Sequence, residues 1–479
     1  MESVSRIESI STRIRQGIIL FQLKKVAAYL IWTAAAVTYL LNSIIPLSAG
    51  AIPNNPKAPS AEPAENQHWT QIIDSSWGGR LKSTGRASWP NNDSIYAPVG
   101  SGTLFDGSVN LRLINDTFIS SWGHFKFHNE TFLAAGDTIR KFDGLGDLFP
   151  GLPEDTLPGA PFDDDRRLLD LSWTISEGNS YRLLNRVDRL NLAVIQPWGT
   201  IRIGRQALTW GNGKIFNPMD LFNPFAPTQI DRDYKVGDDM VTGQFAVDRI
   251  SGDLQLVYVA RRNPETNTAS FSQSSVGGKM HFATGETEFD ALAAKHYEDY
   301  VLGVGGRGYI GNAGWNIDAT WTFLRDDDVG SQNDYLSLAA DVDYSWVWWG
   351  KNFYGLIEFF FNGLGENTYS DALLNPAITE RLSRGELFAV GRYYLSGEIQ
   401  IELHPLFKVF CSIINNLNDP SGILQPRAIY DVAQNLQLIF GANIAYGAKD
   451  TEFGGYKIPD TDIRTRPADN VYAWLIYYF

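Results

Sequence analysis

The chain has 479 residues, and its 54 Asp and Glu against 40 Lys and Arg give a net charge of −14, which argues against a nucleic-acid partner. A single cysteine, Cys411, excludes an internal disulfide and a cysteine-rich metal site. Hydrophobic content of 44% and a mean hydropathy of −0.18 do not look like a membrane protein on average, but a transmembrane β-barrel has one apolar and one polar face and averages out in this way. The 14 Trp, 21 Tyr and 44 Gly suit the aromatic girdles and turns of such a barrel.

Residues 1–51 read as a cleaved signal segment. Arg6, Arg13, Arg15, Lys24 and Lys25 form a basic leader, residues 26–47 are an almost uncharged apolar run, and Ala49-Gly50-Ala51 supplies small residues for cleavage. An uncleaved membrane anchor is the alternative, since such a run is long enough to span a bilayer. No cysteine follows the run, which argues against a lipoprotein. Residues 52–103 read as an N-terminal linker and periplasmic lead-in, with a proline-rich start over 52–64.

From residue 104 to 479 the chain settles into period-2 segments separated by turns, with no convincing long amphipathic helix. The expected fold is all-β, a transmembrane antiparallel barrel of about 18 strands, with 16 as the alternative. Candidate strands lie at 104–115, 118–133, 167–176, 181–195, 199–208, 240–250, 253–262, 276–284, 286–296, 300–310, 314–325, 335–348, 353–362, 385–404, 406–416, 422–433, 435–447 and 470–479. On 118–133, His124 and His128 share a face. They lie about 13 Å apart along a strand, so they cannot chelate one metal.

The rhythm breaks at 201–213, a strand ending in Gly204-Arg205-Gln206 with Trp210-Gly211 just beyond, followed by Asn217-Pro218 and Asn223-Pro224. Together with His404-Pro405 and the run from Asn416 to Gly422 that precedes the chain end, these patches resemble the alginate-export family of outer-membrane barrels and related porins. The resemblance covers residues 104–479 and is specific only in these patches. It implies a large monomeric barrel with a polar lumen that passes solutes; a polyanionic cargo does not carry over, because this chain places many carboxylates on its strands. The apolar 216–225 stretch is expected to fold into or across the lumen as a constriction loop, with Phe216, Asn217, Asp220, Asn223 and Phe225 its key residues. A lid over the outer rim is the alternative.

Gly303 to Gly308 lies within a strand with no helix after it and is no nucleotide loop. The acidic triplets 163–165 and 326–328 read as solvated surface charge rather than cation sites. The segment 386–404 keeps one parity throughout, with Arg392, Glu398, Gln400 and Glu402 on its polar face; a water-filled lumen accepts such a row, whereas a sandwich core does not. In the second half of the chain tight turns alternate with long polar loops, the pattern of periplasmic turns and outer loops. In the first half 134–165 falls out of phase, which points to a miscounted strand.

The last nine residues alternate aromatic and aliphatic side chains up to Phe479, a pattern suited to the closing strand of a barrel and to recognition by the barrel-assembly machinery; the final strand of a soluble β-sandwich is the alternative. Trp321, Tyr344, Trp346, Trp348, Tyr393, Trp474, Tyr477 and Phe479 are expected to face lipid or its interfaces. Inward parity gives a basic group, Arg112, Lys126, Arg182, Arg186 and Arg202, and an acidic group, Asp318, Asp341, Asp343, Glu358, Glu398 and Glu402. The two groups are expected to face each other across the pore and to set up a transverse field. No catalytic constellation, metal or cofactor is expected. The expected role is an outer-membrane channel for small hydrophilic solutes or oligosaccharides, surrounded by lipids and lipopolysaccharide. The alternative is a barrel with a blocked lumen whose outer loops act as an enzyme or adhesin.

Overall fold

The computed structural model describes residues 73–94, 102–142, 164–228, 234–325, 332–459 and 461–479. The signal segment 1–51, the start of the linker, Asp163 and the triplet 326–328 lie outside the described residues. Nineteen strands hydrogen-bond in one antiparallel sheet, and eighteen of them close into a cylinder. In chain order these are β1 (Ile73–Trp89), β2 (Leu104–Ile119), β3 (Gly123–Gly136), β4 (Tyr181–Gln196), β5 (Gly199–Gln206), β6 (Asp238–Val247), β7 (Gly252–Val259), β8 (Ser275–Thr284) and β9 (Thr287–His296). The second half comprises β10 (Asp299–Ile310), β11 (Ala313–Phe323), β12 (Asp334–Trp348), β13 (Lys351–Asn362), β14 (Tyr393–His404), β15 (Phe407–Asn416), β16 (Ser421–Ala433), β17 (Leu436–Tyr446) and β18 (Asp469–Tyr478). The nineteenth, Ser172–Gly178, pairs only with the first residues of β4.

The strand count of eighteen holds, though its membership differs from the expectation at two places. Ile73–Trp89 lies in the segment read as lead-in and is a full barrel strand, while the 167–176 candidate overlaps the short nineteenth strand, which pairs on one side only and does not help to close the cylinder. The two differences cancel in number and restore the phase. Every even-numbered strand from β2 to β16 now leads into a short turn, and β3 ends and β4 begins at the opposite rim. The glycines and polar residues of 73–89 hid its alternation: Gly78, Gly79 and Gly85 carry no side chain to mark either face.

The seam closes where β1 meets β18, with Arg80 opposite Tyr478 and Trp89 opposite Asp469. Beyond the ladder, Phe479 N–H donates to the Gly79 carbonyl at 3.0 Å and Gly79 N–H donates back to the Phe479 carbonyl at 2.9 Å. At the turn between β12 and β13, Trp349 and Gly350 have φ of 49° and 67°, the two left-handed residues of a type I′ turn, whose twist matches that of the flanking strands.

Outward parity is apolar and exposed, as at Ile317, Trp321, Val342, Tyr344, Ile357, Leu395 and Ile399, while the alternate residues Asn316, Asp318, Asp341, Glu358 and Ser396 are buried inside. Near the short-turn end Tyr344, Trp346, Trp348 and Phe353 stack on one another in an aromatic belt. Trp474 departs from the lipid-facing expectation. It is buried with Tyr472, Ile476 and Ile439, and the Lys82 ammonium lies 4.0 Å from its ring. Its parity is opposite to that of Val471, Leu475 and Tyr477, so it faces inward.

Candidate functional site

In the connection between β5 and β6, residues 207–228 leave the rim and run inside the cylinder. Its backbone amides meet carboxylates on strands far around the wall. Asp318 of β11 accepts the N–H groups of Asn212 and Gly213, and Glu358 of β13 accepts those of Lys214, Ile215 and Phe216 at 2.9, 2.9 and 2.6 Å. Asp290 of β9 accepts from the Asn212 side chain at 3.0 Å. Five successive amides are thus received by two buried carboxylates, which is how an irregular backbone satisfies its donors away from water.

Apolar packing fixes the same loop at two further points. Phe216 stacks on Phe360 with centroids 4.3 Å apart and 4° between planes, within a cluster that includes Tyr394, Ile414 and Ile423 of β14, β15 and β16. Trp210, Met219 and Phe222 pack on Met240, Val257, Val259 and Leu292 of the near wall. Farther along, the Thr228 carbonyl accepts from Gln425 of β16 at 2.8 Å, and the Tyr234 ring lies 4.2 Å from Arg112 and 4.8 Å from Arg80. A segment that starts on β5 and touches β9, β11, β13, β16 and β2 crosses the lumen.

Within the loop, Asn217 donates to the Trp210 carbonyl at 3.0 Å, and Asn223 adopts the left-handed region at φ 51° before Pro224. Asp220 is buried against Lys235, whose ammonium also donates to the Leu208 carbonyl, so one contact clasps both limbs. Burial pushes the Asp220 carboxyl up to about 6, against the pull of Lys235. Phe225, by contrast, is exposed.

The basic residues sit on β2 to β5 and are extensively paired. Arg112 contacts Asp188 and Glu130, Arg186 donates to Glu130 at 2.8 Å, and the Lys126 ammonium is 3.3 Å from Asp116. Arg182 lies opposite Ala134 at the start of β4, and Arg202 is half-buried on β5. The acidic residues sit on β11 to β14, nine strands away in a cylinder of eighteen, so the two groups lie on opposite walls. Asp318 and Glu358 are occupied by the loop, Asp341 accepts from Asn316 at 2.7 Å, Glu398 from Ser412 at 2.6 Å and Glu402 from Asn352 at 3.2 Å. Asp343 is half-buried beside Gly314. Arg392 is no strand residue, because β14 begins at Tyr393; its guanidinium donates to the Gly365 carbonyl at 2.6 Å and ties the 363–392 loop together.

A buried ionic cluster at the long-loop end escaped the parity argument. Arg205 is 1% exposed and forks onto Asp239 at 2.9 and 3.0 Å while reaching Asp164 at 2.6 Å. Arg261 donates through Nε and Nη2 to the single oxygen Asp238 Oδ2, at 3.2 and 2.8 Å. Asp164 is therefore buried and structural, unlike the solvated triplet expected of it. Burial alone would raise its carboxyl, but Arg167 and Arg205 hold it down at about 2. The signals were the Gly204-Arg205-Gln206 and Asp238-Asp239 runs. Asp188 and Arg189 were hidden by a bulge opposite His128 and Asn129, which shifts the parity of β4.

A closed, even-numbered antiparallel barrel with an outward apolar surface, short turns at one end and long loops at the other is a transmembrane barrel of the outer-membrane type, here with a loop across its lumen. Among solved structures it is similar to OccAB1 of Acinetobacter baumannii, at 8% identity over 85% of this chain and 96% of that one, with a TM-score of 0.47. It is also similar to OccK8 (OprE) of Pseudomonas aeruginosa, at 8% identity over 85% and 98% of the two chains and a TM-score of 0.44. OmpT of Vibrio cholerae matches at 10% identity over 85% and 100%, with a TM-score of 0.34. Values this low describe a likeness of barrel architecture and nothing finer. No family model and no curated sequence matches the chain, so the alginate-export resemblance has only its short motifs behind it.

Proposed function

We propose that this barrel is a passive channel for small hydrophilic solutes, narrowed by residues 207–228. The observation that carries the reading is the tethering of those residues to Asp318 and Glu358 on the far wall, inside a cylinder wider than its own inward side chains can fill. Inward rows of charge and hydroxyl keep the remaining path wet. Basic and acidic walls face each other, but Arg112, Arg186 and Glu398 have local partners, which favours weak ion selectivity over a strong transverse field. The alginate-export motifs are read as a bond of fold and not of cargo. Phe479 and the strand before it are the part we assign to the assembly machinery, and lipid and lipopolysaccharide to the outer surface.

Planar-bilayer recording tests the reading. The folded protein should give discrete conductance steps, and deletion of 214–228 should enlarge them while heat-modifiable migration persists. A folded barrel without conductance would favour the blocked-lumen alternative, and a folded deletion with unchanged steps would remove the loop from the conducting path.

A further inference from the structure

Between the crossing loop and the far wall lies a cavity of about 250 Å³. Thr320 and Thr322 of β11 and Ser337 of β12 form one side of it, at 4%, 5% and 8% exposure, and Thr320 and Ser337 are directly opposite each other in the ladder. Among the described residues none of these three hydroxyls has a hydrogen-bonding partner. Their oxygens are open to the cavity rather than sealed in the wall, so they are left to bond to whatever fills it.

The other side of the cavity is aromatic. Phe216 and Phe360 line it but cover each other's faces, whereas Phe225 and Phe388, 40% and 39% exposed, have no ring stacked on them among the described residues. Charges in the lining are almost all matched: Asp299 with Arg381, His296 with Glu386 at 3.3 Å, and Asp220 with Lys235. Lys214, exposed on the loop, is the remaining charged residue.

We propose that this cavity is a binding subsite for an uncharged hydroxylated ring, a monosaccharide or cyclic polyol; the assignment rests on the channel reading and names its solute class. The hydroxyl wall supplies both donors and acceptors, which an alcohol can satisfy and an apolar molecule cannot. Free aromatic faces carry partial negative charge that attracts the C–H face of such a ring. Apart from Lys214, which is exposed and therefore screened by solvent, the charges of the site are already matched, so a net charge on the ligand gains little there to offset its desolvation. The volume is below the roughly 300–1,000 Å³ of pockets for drug-sized ligands, so one ring fits and an oligosaccharide does not.

Titration calorimetry of the full-length barrel folded in detergent, with glucose and myo-inositol as probes and gluconate and glucosamine as charged analogues, tests the subsite. Saturable binding of the neutral pair is expected, with the charged pair at least about tenfold weaker. The combined change Thr320→Val, Thr322→Val, Ser337→Ala should weaken glucose by about tenfold or more, since each lost hydrogen bond is worth roughly a factor of two to ten. Phe225→Ala with Phe388→Ala gives an independent variant should the first not reach the heat-modifiable folded form. No saturable binding to the folded wild type, equal binding of the charged analogues, or glucose affinity unchanged in a folded variant would overturn the subsite. Conductance without sugar binding would sink the subsite and leave the channel standing; sugar binding without conductance would support the subsite and sink the channel.

Discussion

Glu358 shows how one side chain sets the position of a whole loop. It is fully buried and its two oxygens accept three amides, so replacing it removes more than a charge. Glu358→Gln keeps one acceptor oxygen and turns the other position into a donor that faces N–H groups. Leaving a buried donor unsatisfied costs about 1–3 kcal/mol, enough to loosen the docking of 212–216 without opening a barrel held by eighteen strand pairings. Larger and noisier conductance steps are expected in bilayer recordings, with heat-modifiable migration retained. Steps identical to the wild type would mean that the stacking of Phe216 on Phe360 holds the loop without the carboxylate. Parity gave the direction of Glu358 correctly, but a partner 142 residues away in the chain left no mark on the local sequence.

At the scale of elements, the 363–392 connection is a built structure and not a slack outer loop. Asn375 caps the helix Pro376–Ser383 by accepting from Ala377 N–H, and Leu364, Tyr369, Ile378 and Val390 form a buried cluster with Tyr456. Its return limb carries Glu386, which burial would push up but which His296, Arg384 and Arg381 hold down at about 2, against an ordinary value of 4.5. A carboxyl depressed on folding stabilises the loop fully above its ordinary range, and this contribution fades as pH falls from about 4.5 toward 2. Amide exchange of residues 384–389 should be protected at pH 5 and accelerate below about pH 4, while strands such as β13 stay protected. Protection of 384–389 that does not change over that range would show that the apolar cluster alone keeps the limb in place. The uniform parity of 386–404 suggested one long strand, but Ala389, Val390 and Gly391 are buried in succession, so the alternation is followed only from Tyr393 onward.

For the whole molecule the decisive contact is the seam. Gly79 has no room for a side chain: a Cβ there would lie 2.3 Å from the Arg112 carbonyl oxygen and 2.7 Å from the Phe479 ring. Gly79→Val should therefore displace Phe479 and break the paired hydrogen bonds that complete the cylinder, and deletion of Phe479 should act in the same direction. Both should lower the fraction of protein that migrates as the folded, heat-modifiable form after assembly. Normal yields of folded barrel from both variants would show that the β1–β18 ladder closes without its last residue.

The sequence by itself determined the class of fold and the inward or outward sense of side chains on its clearest strands, because alternation is a local property and each strand carries its own record of it; the strand number agreed only because one missed and one surplus strand cancelled. Asp318, Asp341, Glu358 and Trp321 all point as their parity required. Tertiary structure alone decided which strand closes the barrel at Ile73–Trp89, where glycines erase the alternation, and where the bulge at Asp188 reverses it. It alone decided that Arg205 and Asp164 meet, and that five amides of one loop find Asp318 and Glu358 across the lumen. These contacts join residues far apart in the chain, and their free energy comes from desolvation and hydrogen-bond completion that exist only once the cylinder has closed.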